Sequence, residues 1–289
     1  MKTCVQAHAK INLFLDIESK RENGYHNIVS IMHTVGLCDN ITVELENDSE
    51  KTITVSCDES SIPCGESNLV YKAASLYPIC GKINIHINKN IPMSAGLAGG
   101  SADAAATLMA LNELSQEPLS EDELCVLGST LGADIPFCIK KGACLVEGIG
   151  EILTPIEPMP SFPMVIALEG EGMSTPQGYR ELDKKFNDFV GYTVKRDLLE
   201  ILLNKKSSPK SYSEGLFNIF ESVVEPQRPS VSKIKHTMLN SGAMGTLMSG
   251  SGTAVFGIFE NESDARNCAE KLKSRGAIAH FCYPYIPKM

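Results

Sequence analysis

The 289-residue sequence has no run of 18 apolar residues, so no membrane-spanning helix is expected. No secretory leader is expected either: Lys10 interrupts the apolar stretch of MKTCVQAHAKINLFLDI, and strand-like alternation follows. The expected location is the cytoplasm. Nor is there an excess of basic charge. With 26 Lys and Arg against 35 Asp and Glu, the formal net charge is −9. That counts against nucleic acid as a partner and, more weakly, against an anionic membrane surface. An anionic small molecule would have to be held locally, by backbone N–H groups, one or two lysines and a divalent cation. Paired cysteine motifs are also lacking. Cys4, Cys38, Cys57, Cys64, Cys80, Cys125, Cys138, Cys144, Cys268 and Cys282 form no C-x-x-C, and the gap between Cys57 and Cys64 is not a zinc-knuckle spacing. They read as small, mostly buried residues in a reducing compartment.

What is present suffices for a core: 43% of residues are apolar and 21% charged, the balance of an ordered globular chain. The length allows one large domain or two ordinary ones. Strand patterns cover Val5 to Ile17, Ile28 to Val35, Ile41 to Leu45, Lys51 to Cys57 and Lys82 to Asn88. Asn23-Gly24 marks a turn between the first two. Helices are expected from Asn68 to Leu76, after the small-residue loop that begins at Pro92, and from the capping box Ser120-Glu121-Asp122-Glu123. Ala143 to Val146 reads as a strand. Four prolines between Thr154 and Pro163 suggest a linker, hence domains of 1–155 and 160–289. Beyond it the pattern gives strands at Met164 to Leu168 and Thr253 to Phe259. Helices are expected at Tyr179 to Phe189, Leu216 to Val224, Ser230 to Ser241 and Ser263 to Arg275. The class is α+β or α/β.

Four segments carry chemistry. Pro92-Met93-Ser94-Ala95-Gly96-Leu97-Ala98-Gly99-Gly100-Ser101-Ala102-Asp103 lets a backbone approach a bulky anion and aims a helix N-terminus at it. Ser101 adds a hydroxyl for phosphate or for a magnesium shell. Asp103 is the one acidic residue early in that helix. The segment is neither a Walker A loop nor a dinucleotide fingerprint. Leu131-Gly132-Ala133-Asp134-Ile135-Pro136 fixes an aspartate where it would accept a proton from an attacking hydroxyl. Lys10, in the apolar strand Ala9-Lys10-Ile11-Asn12, needs a partner, naturally a carboxylate such as Asp134. Met248-Ser249-Gly250-Ser251-Gly252 is a second close-approach loop. Each also has a plain structural reading: an ordinary turn, a helix cap, a snorkelling lysine, a hairpin.

In this order and spacing the segments resemble the GHMP kinase superfamily over nearly the whole chain. Gly148-Ile149-Gly150-Glu151 adds to the likeness. Lys10-Ile11-Asn12-Leu13 and Asn23-Gly24-Tyr25-His26 resemble one branch of it, whose acceptor is a nucleotide-linked polyol. The resemblance implies an α+β, two-domain fold. Its N-terminal domain would be ribosomal-protein-S5-like, its C-terminal domain ferredoxin-like, with the active site in the cleft. It implies ATP and Mg2+ as cofactors, a monomer or homodimer, and phosphoryl transfer to a hydroxyl. Asp134 and Lys10 then take the catalytic positions. Pro92, Ser94, Ala95, Gly96, Leu97, Ala98, Gly99, Gly100, Ser101 and Ala102 would hold ATP, with Asn68 near the adenosine. Asn12 would lie beside the acceptor hydroxyl. Tyr25, His26, Thr175 and Tyr179 would hold the pyrimidine end by stacking and hydrogen bonds. Ser94, Ala98 and Ala102 stand where the family's loop has Gly, Gly and Ser, and His8 where it often has Pro. From the sequence, another GHMP-type kinase and a non-catalytic nucleotide-binding relative stay open.

Overall fold

The computed structural model describes residues 1–170, 172–204 and 208–287. The chain divides into two compact units that are not consecutive in sequence. The first holds Met1–Ala9, Leu37–Met93 and Ala98–Lys141; the second holds Lys10–Gly36, Ser94–Leu97 and the chain from Gly142 onward. The expected boundary at 155–160 falls inside the second unit. Two long neighbouring strands, β1 (Lys2–Lys20) and β2 (His26–Glu46), run through both. The sequence pattern suggests two strands where β2 is one.

In the first unit, β3 (Lys51–Cys57) pairs in parallel with β4 (Gly81–Asn88), and β4 pairs antiparallel with Asn40–Glu46 of β2. Strand β4 alternates strictly, with Ile83, Ile85 and Ile87 buried and their neighbours exposed, as a half-covered sheet requires. The covering layer comprises α1 (Leu69–Leu76), α2 (Gly99–Leu114), α3 (Glu121–Ser129) and α4 (Ile135–Lys140). Helix α2 is buried nearly all round from Ala102 to Leu111 and packs on α1, α3 and α4, which its small alanines permit. Ser120 and Glu123 form the expected capping box at α3.

In the second unit, β5 (Ala143–Glu147) pairs with β2 and with β6 (Ile152–Pro155). A separate antiparallel sheet has the order β11-β7-β10-β9, from β7 (Met164–Leu168), β9 (Ala243–Met248), β10 (Val255–Phe259) and β11 (Ile278–Cys282). Between β7 and β9 run α5 (Thr175–Phe186), α6 (Arg196–Leu203), α7 (Pro209–Ser213), β8 (Phe217–Asn218), α8 (Glu221–Val224) and α9 (Pro229–Leu239). Helix α10 (Glu262–Lys273) joins β10 to β11 and packs with α9 on the sheet. This split βαβ order is the ferredoxin-like arrangement.

Some sequence expectations yield to tertiary contacts. The helix expected over 216–224 shrinks to α8. Asn218 is held extended instead: its amide donates to the Met248 and Gly250 carbonyls and accepts from the Phe220 N–H, while β8 pairs with Phe14 and Leu15. Helix α5 stops at Phe186, because Asn187, Asp188 and Phe189 all turn to positive φ. Strands β6, β9 and β11 and helices α4, α6 and α7 had no clear sequence signal.

One buried group makes the second unit sensitive to acid. His33 is wholly buried, with Nδ1 donating to the Thr34 carbonyl and Nε2 accepting from the Met159 N–H. These partners require the neutral imidazole, and burial lowers the His33 pKa from 6.5 to about 4. The unfolded chain therefore takes up this proton first as pH falls. Stability is intact above about 6.5 and declines toward 4. Between pH 7 and pH 5 the loss from this group is about 2 kcal/mol. Denaturant titrations of wild type and His33→Gln should show a shallower pH slope in the variant; equal slopes would refute the assignment.

Candidate active site

The glycine-rich loop passes from one unit to the other. In the second unit three of its consecutive carbonyls are engaged. Ala95 O accepts from the Ala254 N–H at 3.0 Å, Gly96 O from the Ser249 hydroxyl at 2.9 Å, and Leu97 O from the Lys10 N–H at 3.1 Å. Gly96 lies so close to the Ser249–Gly252 loop that a methyl group on it would sit 2.1 Å from the Ser249 carbonyl oxygen; its φ is +80°. The two small-residue loops noted in the sequence thus meet backbone to backbone.

In the first unit, Ala98 is the N-cap of α2, in the left-handed region at φ 56°, ψ 31°, with no side-chain cap. Ser94 is left-handed as well, at φ 51°. Both stand where the family's loop has glycine, and the backbone keeps the glycine-like shape at a cost of about 1 kcal/mol each. The N–H groups of Gly99, Gly100 and Ser101 open α2, and like any first turn they have no intrahelical acceptor. A methyl group on Gly132 would sit 3.9 Å from the Ser101 hydroxyl, so the start of α2 lies beside the Asp134 turn. Asp134 occupies the N-cap position of α4, half-buried, yet its side chain makes no cap hydrogen bond. The capping role considered from sequence is not what its carboxylate does.

Lys10 is buried, and among the described residues its ammonium donates to the Asn12 amide oxygen at 2.8 Å. The side-chain partner is an amide, where the sequence suggested a carboxylate. Asn12 is itself engaged at both ends of its amide. Its oxygen also accepts from the Gly250 N–H, and its nitrogen donates to Ser30. Ser249 Oγ further accepts from the Asn12 N–H. Asn12 therefore ties Lys10 to the Ser249–Gly252 loop.

The candidate pyrimidine residues also lie in the second unit. Tyr25 is 59% exposed and His26 is buried. The His26 ring stacks on Tyr179 of α5 at 4.6 Å and 17°, and its Nε2 is 2.6 Å from Asp183 Oδ1. Burial would raise the Asp183 pKa, but hydrogen bonds from Lys20 and His26 outweigh it and hold the carboxyl below its ordinary value. Thr175 opens α5 and shares a hydrogen bond with Ser251 at 2.9 Å. Asn68 caps α1, accepting from the Val70 N–H and donating to the Pro63 carbonyl. Pro92 and Gly96 are half-buried, while Ala95, Leu97 and Ala102 are buried.

The profile described as the GHMP kinases N terminal domain matches residues 68–142, and that for the GHMP kinases C terminal matches 197–278. A 4-diphosphocytidyl-2-C-methyl-D-erythritol kinase of Clostridium novyi (strain NT) is 42% identical over 275 residues, covering 93% of this chain and 95% of the relative. The chain belongs to the 4-diphosphocytidyl-2-C-methyl-D-erythritol kinase family. The protein of that name from Caldicellulosiruptor bescii is also 42% identical, with 93% of each chain covered. A crystal structure of 4-(cytidine 5'-diphospho)-2C-methyl-D-erythritol kinase superposes with a TM-score of 0.81 at 32% identity, over 99% of this chain and 100% of that one. The mevalonate kinase of L. major, at 18% identity and TM-score 0.73, covers 99% and 98% and shares the fold. As a member of the family the chain is an ATP-using phosphotransferase with the GHMP kinase fold.

Sequence reading missed Asp183, Asp39 and Lys89. Asp183 had a faint signal, since it follows Tyr179 by one helical turn and shares its face of α5. Asp39 and Lys89 had none. Asp103, the acidic candidate for magnesium, is engaged by Lys89 at 2.7 Å, and burial pushes its carboxyl above the ordinary carboxylate range against the pull of that ammonium.

Gly96→Ala should separate the two loops and lower activity by about 10²-fold, whereas Gly65→Ala, with nothing within 4 Å, should not. Steady-state rates of the folded variants check this. Ala98→Gly should raise stability by up to about 1 kcal/mol, read as a denaturant midpoint; an unchanged or lower midpoint would contradict the strain assigned to Ala98.

Proposed function

We propose that the chain transfers the γ-phosphoryl group of ATP to the 2-hydroxyl of 4-diphosphocytidyl-2-C-methyl-D-erythritol, the substrate named in its curated relatives. The observation that carries the mechanism is a pair of groups with unspent chemistry. Lys10 is a buried ammonium with three donors and one amide acceptor. Asp134 stands at a helix start without capping it. A buried cation with donors to spare favours an arriving anion.

In this reading Asp134 orients or deprotonates the acceptor hydroxyl, and Lys10 offsets charge on the carboxylate and the moving phosphoryl group. Gly96, Leu97, Ala98, Gly99, Gly100 and Ser101 cradle the ATP phosphates, with Pro92, Ser94, Ala95 and Ala102 shaping the turn. Asn68 fixes the start of α1 for the adenosine side. Tyr25 offers a ring face to the cytosine, His26 and Tyr179 the adjoining polar edge and wall, and Thr175 the rim. Asn12 positions Lys10. Magnesium, when bound with the nucleotide, would supply neutralisation of phosphate charge. The described residues hold no group of three His, Cys, Asp or Glu side chains suited to a resident metal. The Ser101 hydroxyl in the first turn of α2 would be the protein group that holds the magnesium. We also assign 1–155 and 160–289 as the family's N- and C-terminal domains, since the two profile matches fall on either side of that linker.

No helix is long and apolar enough to cross a membrane among the described residues. The net charge of −9 fits a small-molecule acceptor better than nucleic acid, and a cytoplasmic site of action is part of the same proposal.

An ADP-release assay tests the reading, with the cytidine-diphosphate polyol set beside mevalonate, galactose and homoserine. Turnover is expected with the first alone. Lys10→Ala and Asp134→Asn should each cut turnover by about 10²-fold or more with folding intact. Near-wild-type turnover in both variants, or a preference for another acceptor, would overturn it.

A further inference from the structure

Beneath the start of α2 the first unit buries three ionisable side chains that the proposed mechanism does not use. Asp39 in β2, Lys89 just after β4 and Asp103 in α2 have side chains 0%, 7% and 5% exposed. The Lys89 ammonium is 2.5 Å from Asp39 Oδ2 and 2.7 Å from Asp103 Oδ2. Asp39 Oδ1 accepts the backbone N–H groups of Asn90 and Ile91, at 2.5 and 2.7 Å. Asp103 Oδ1 is buried without a partner among the described residues. Two carboxylates and one ammonium out of water cost several kcal/mol per ion before their attraction repays it, and apolar side chains of similar volume often hold a fold as well. Stability alone is thus a weak reason for such a cluster.

Its place in the chain gives a better one. Asn90 and Ile91 lead directly into Pro92, the first residue of the phosphate loop, and Asp103 follows its last residue, Ala102. The ions tie the strand entering the loop to the helix leaving it. They also press against the loop itself: a methyl group on Gly99 would sit 3.1 Å from Lys89 Nζ and 3.0 Å from Ile91 Cγ2. Gly99 supplies one of the free N–H groups at the helix start.

We infer that Asp39, Lys89 and Asp103 form a buried clamp that positions the phosphate loop for the nucleotide. With side chains this buried, they are positioning residues acting through Asn90, Ile91 and Gly99. The inference rests on the nucleotide being held by this loop, as proposed above.

The test measures KM for ATP, KM for the acceptor and kcat, together with direct binding of a non-hydrolysable ATP analogue. Lys89→Met alone strands two buried carboxylates and risks unfolding. The decisive variant is therefore Lys89→Met combined with Asp103→Leu, which leaves Asp39 its two backbone donors. This double variant should fold, bind the analogue and ATP about tenfold or more weakly, and keep its acceptor KM within about twofold. Lys89→Arg, which can still bridge both carboxylates, should recover most of the ATP affinity. A folded double variant with wild-type ATP affinity would make the cluster purely structural and overturn the clamp. So would a loss falling equally on both substrates. If the wild-type chain binds no ATP analogue, the nucleotide-site reading itself fails.

Discussion

The candidate site depends first on the fastening of three consecutive carbonyls. Those of Ala95, Gly96 and Leu97 accept hydrogen bonds from the Ala254 N–H, the Ser249 hydroxyl and the Lys10 N–H. Two of these donors sit on the β9–β10 connection and the third on β1. A loop of small residues has little side-chain packing to hold it and loses much entropy on ordering. Backbone bonds replace that packing, but only at close approach, which is why Gly96 has no room for a methyl group. The smallness of the loop and the Ser/Gly character of its partner are two halves of one constraint. The lysine assigned to catalysis enters through the same contact, because its own N–H is one of the fasteners.

Charge is treated differently in the two units. In the first, Lys89 is held between two carboxyl groups, Asp39 and Asp103. In the second, Lys10 is buried with a neutral amide for company. An ammonium bridged between acidic partners fixes geometry, while one with only an amide partner leaves its attraction for whatever arrives. The acidic chain as a whole repels ATP weakly, so attraction must be local. In the proposed reading an under-partnered lysine and an uncapped helix start would provide it without altering net charge. Asn12 makes this tolerable: one side chain satisfies Lys10, receives the Gly250 N–H and anchors to Ser30, so the ammonium is held still without being neutralised.

How much of this the sequence disclosed follows from the range of each interaction. Lys10 was legible because a charge in an apolar strand violates a local rule, and the loop because glycine and proline punctuate the chain. The capping box at α3 was readable for the same reason, since its partners are three residues apart. Asn218 was misread because the bonds that hold it extended reach Met248 and Gly250, some thirty residues away. Asp39 gave no sign at all. Leu37-Cys38-Asp39-Asn40 looks like a break between strands, and the donors at Asn90 and Ile91 that engage the Asp39 carboxylate lie about fifty residues on. His26 was found by motif, but the carboxylate that orients it belongs to a helix in the other half of the sequence.

The departures from the family's loop belong to the same account. A sequence comparison treats Ser94 and Ala98 as losses, since a Cβ at positive φ is strained. In the fold both residues nonetheless take the left-handed conformation, at φ 51° and 56°. The surroundings impose the shape and the side chain bears the strain. For Ala98 the clamp formed by Lys89, Asp39 and Asp103 and the carbonyl bond at Leu97 hold the chain on either side. Strain of about 1 kcal/mol per residue is small beside the contacts that enforce it. The substitutions therefore lower the margin of stability while leaving the cradle's outline, and with it the direction of its N–H groups, in place.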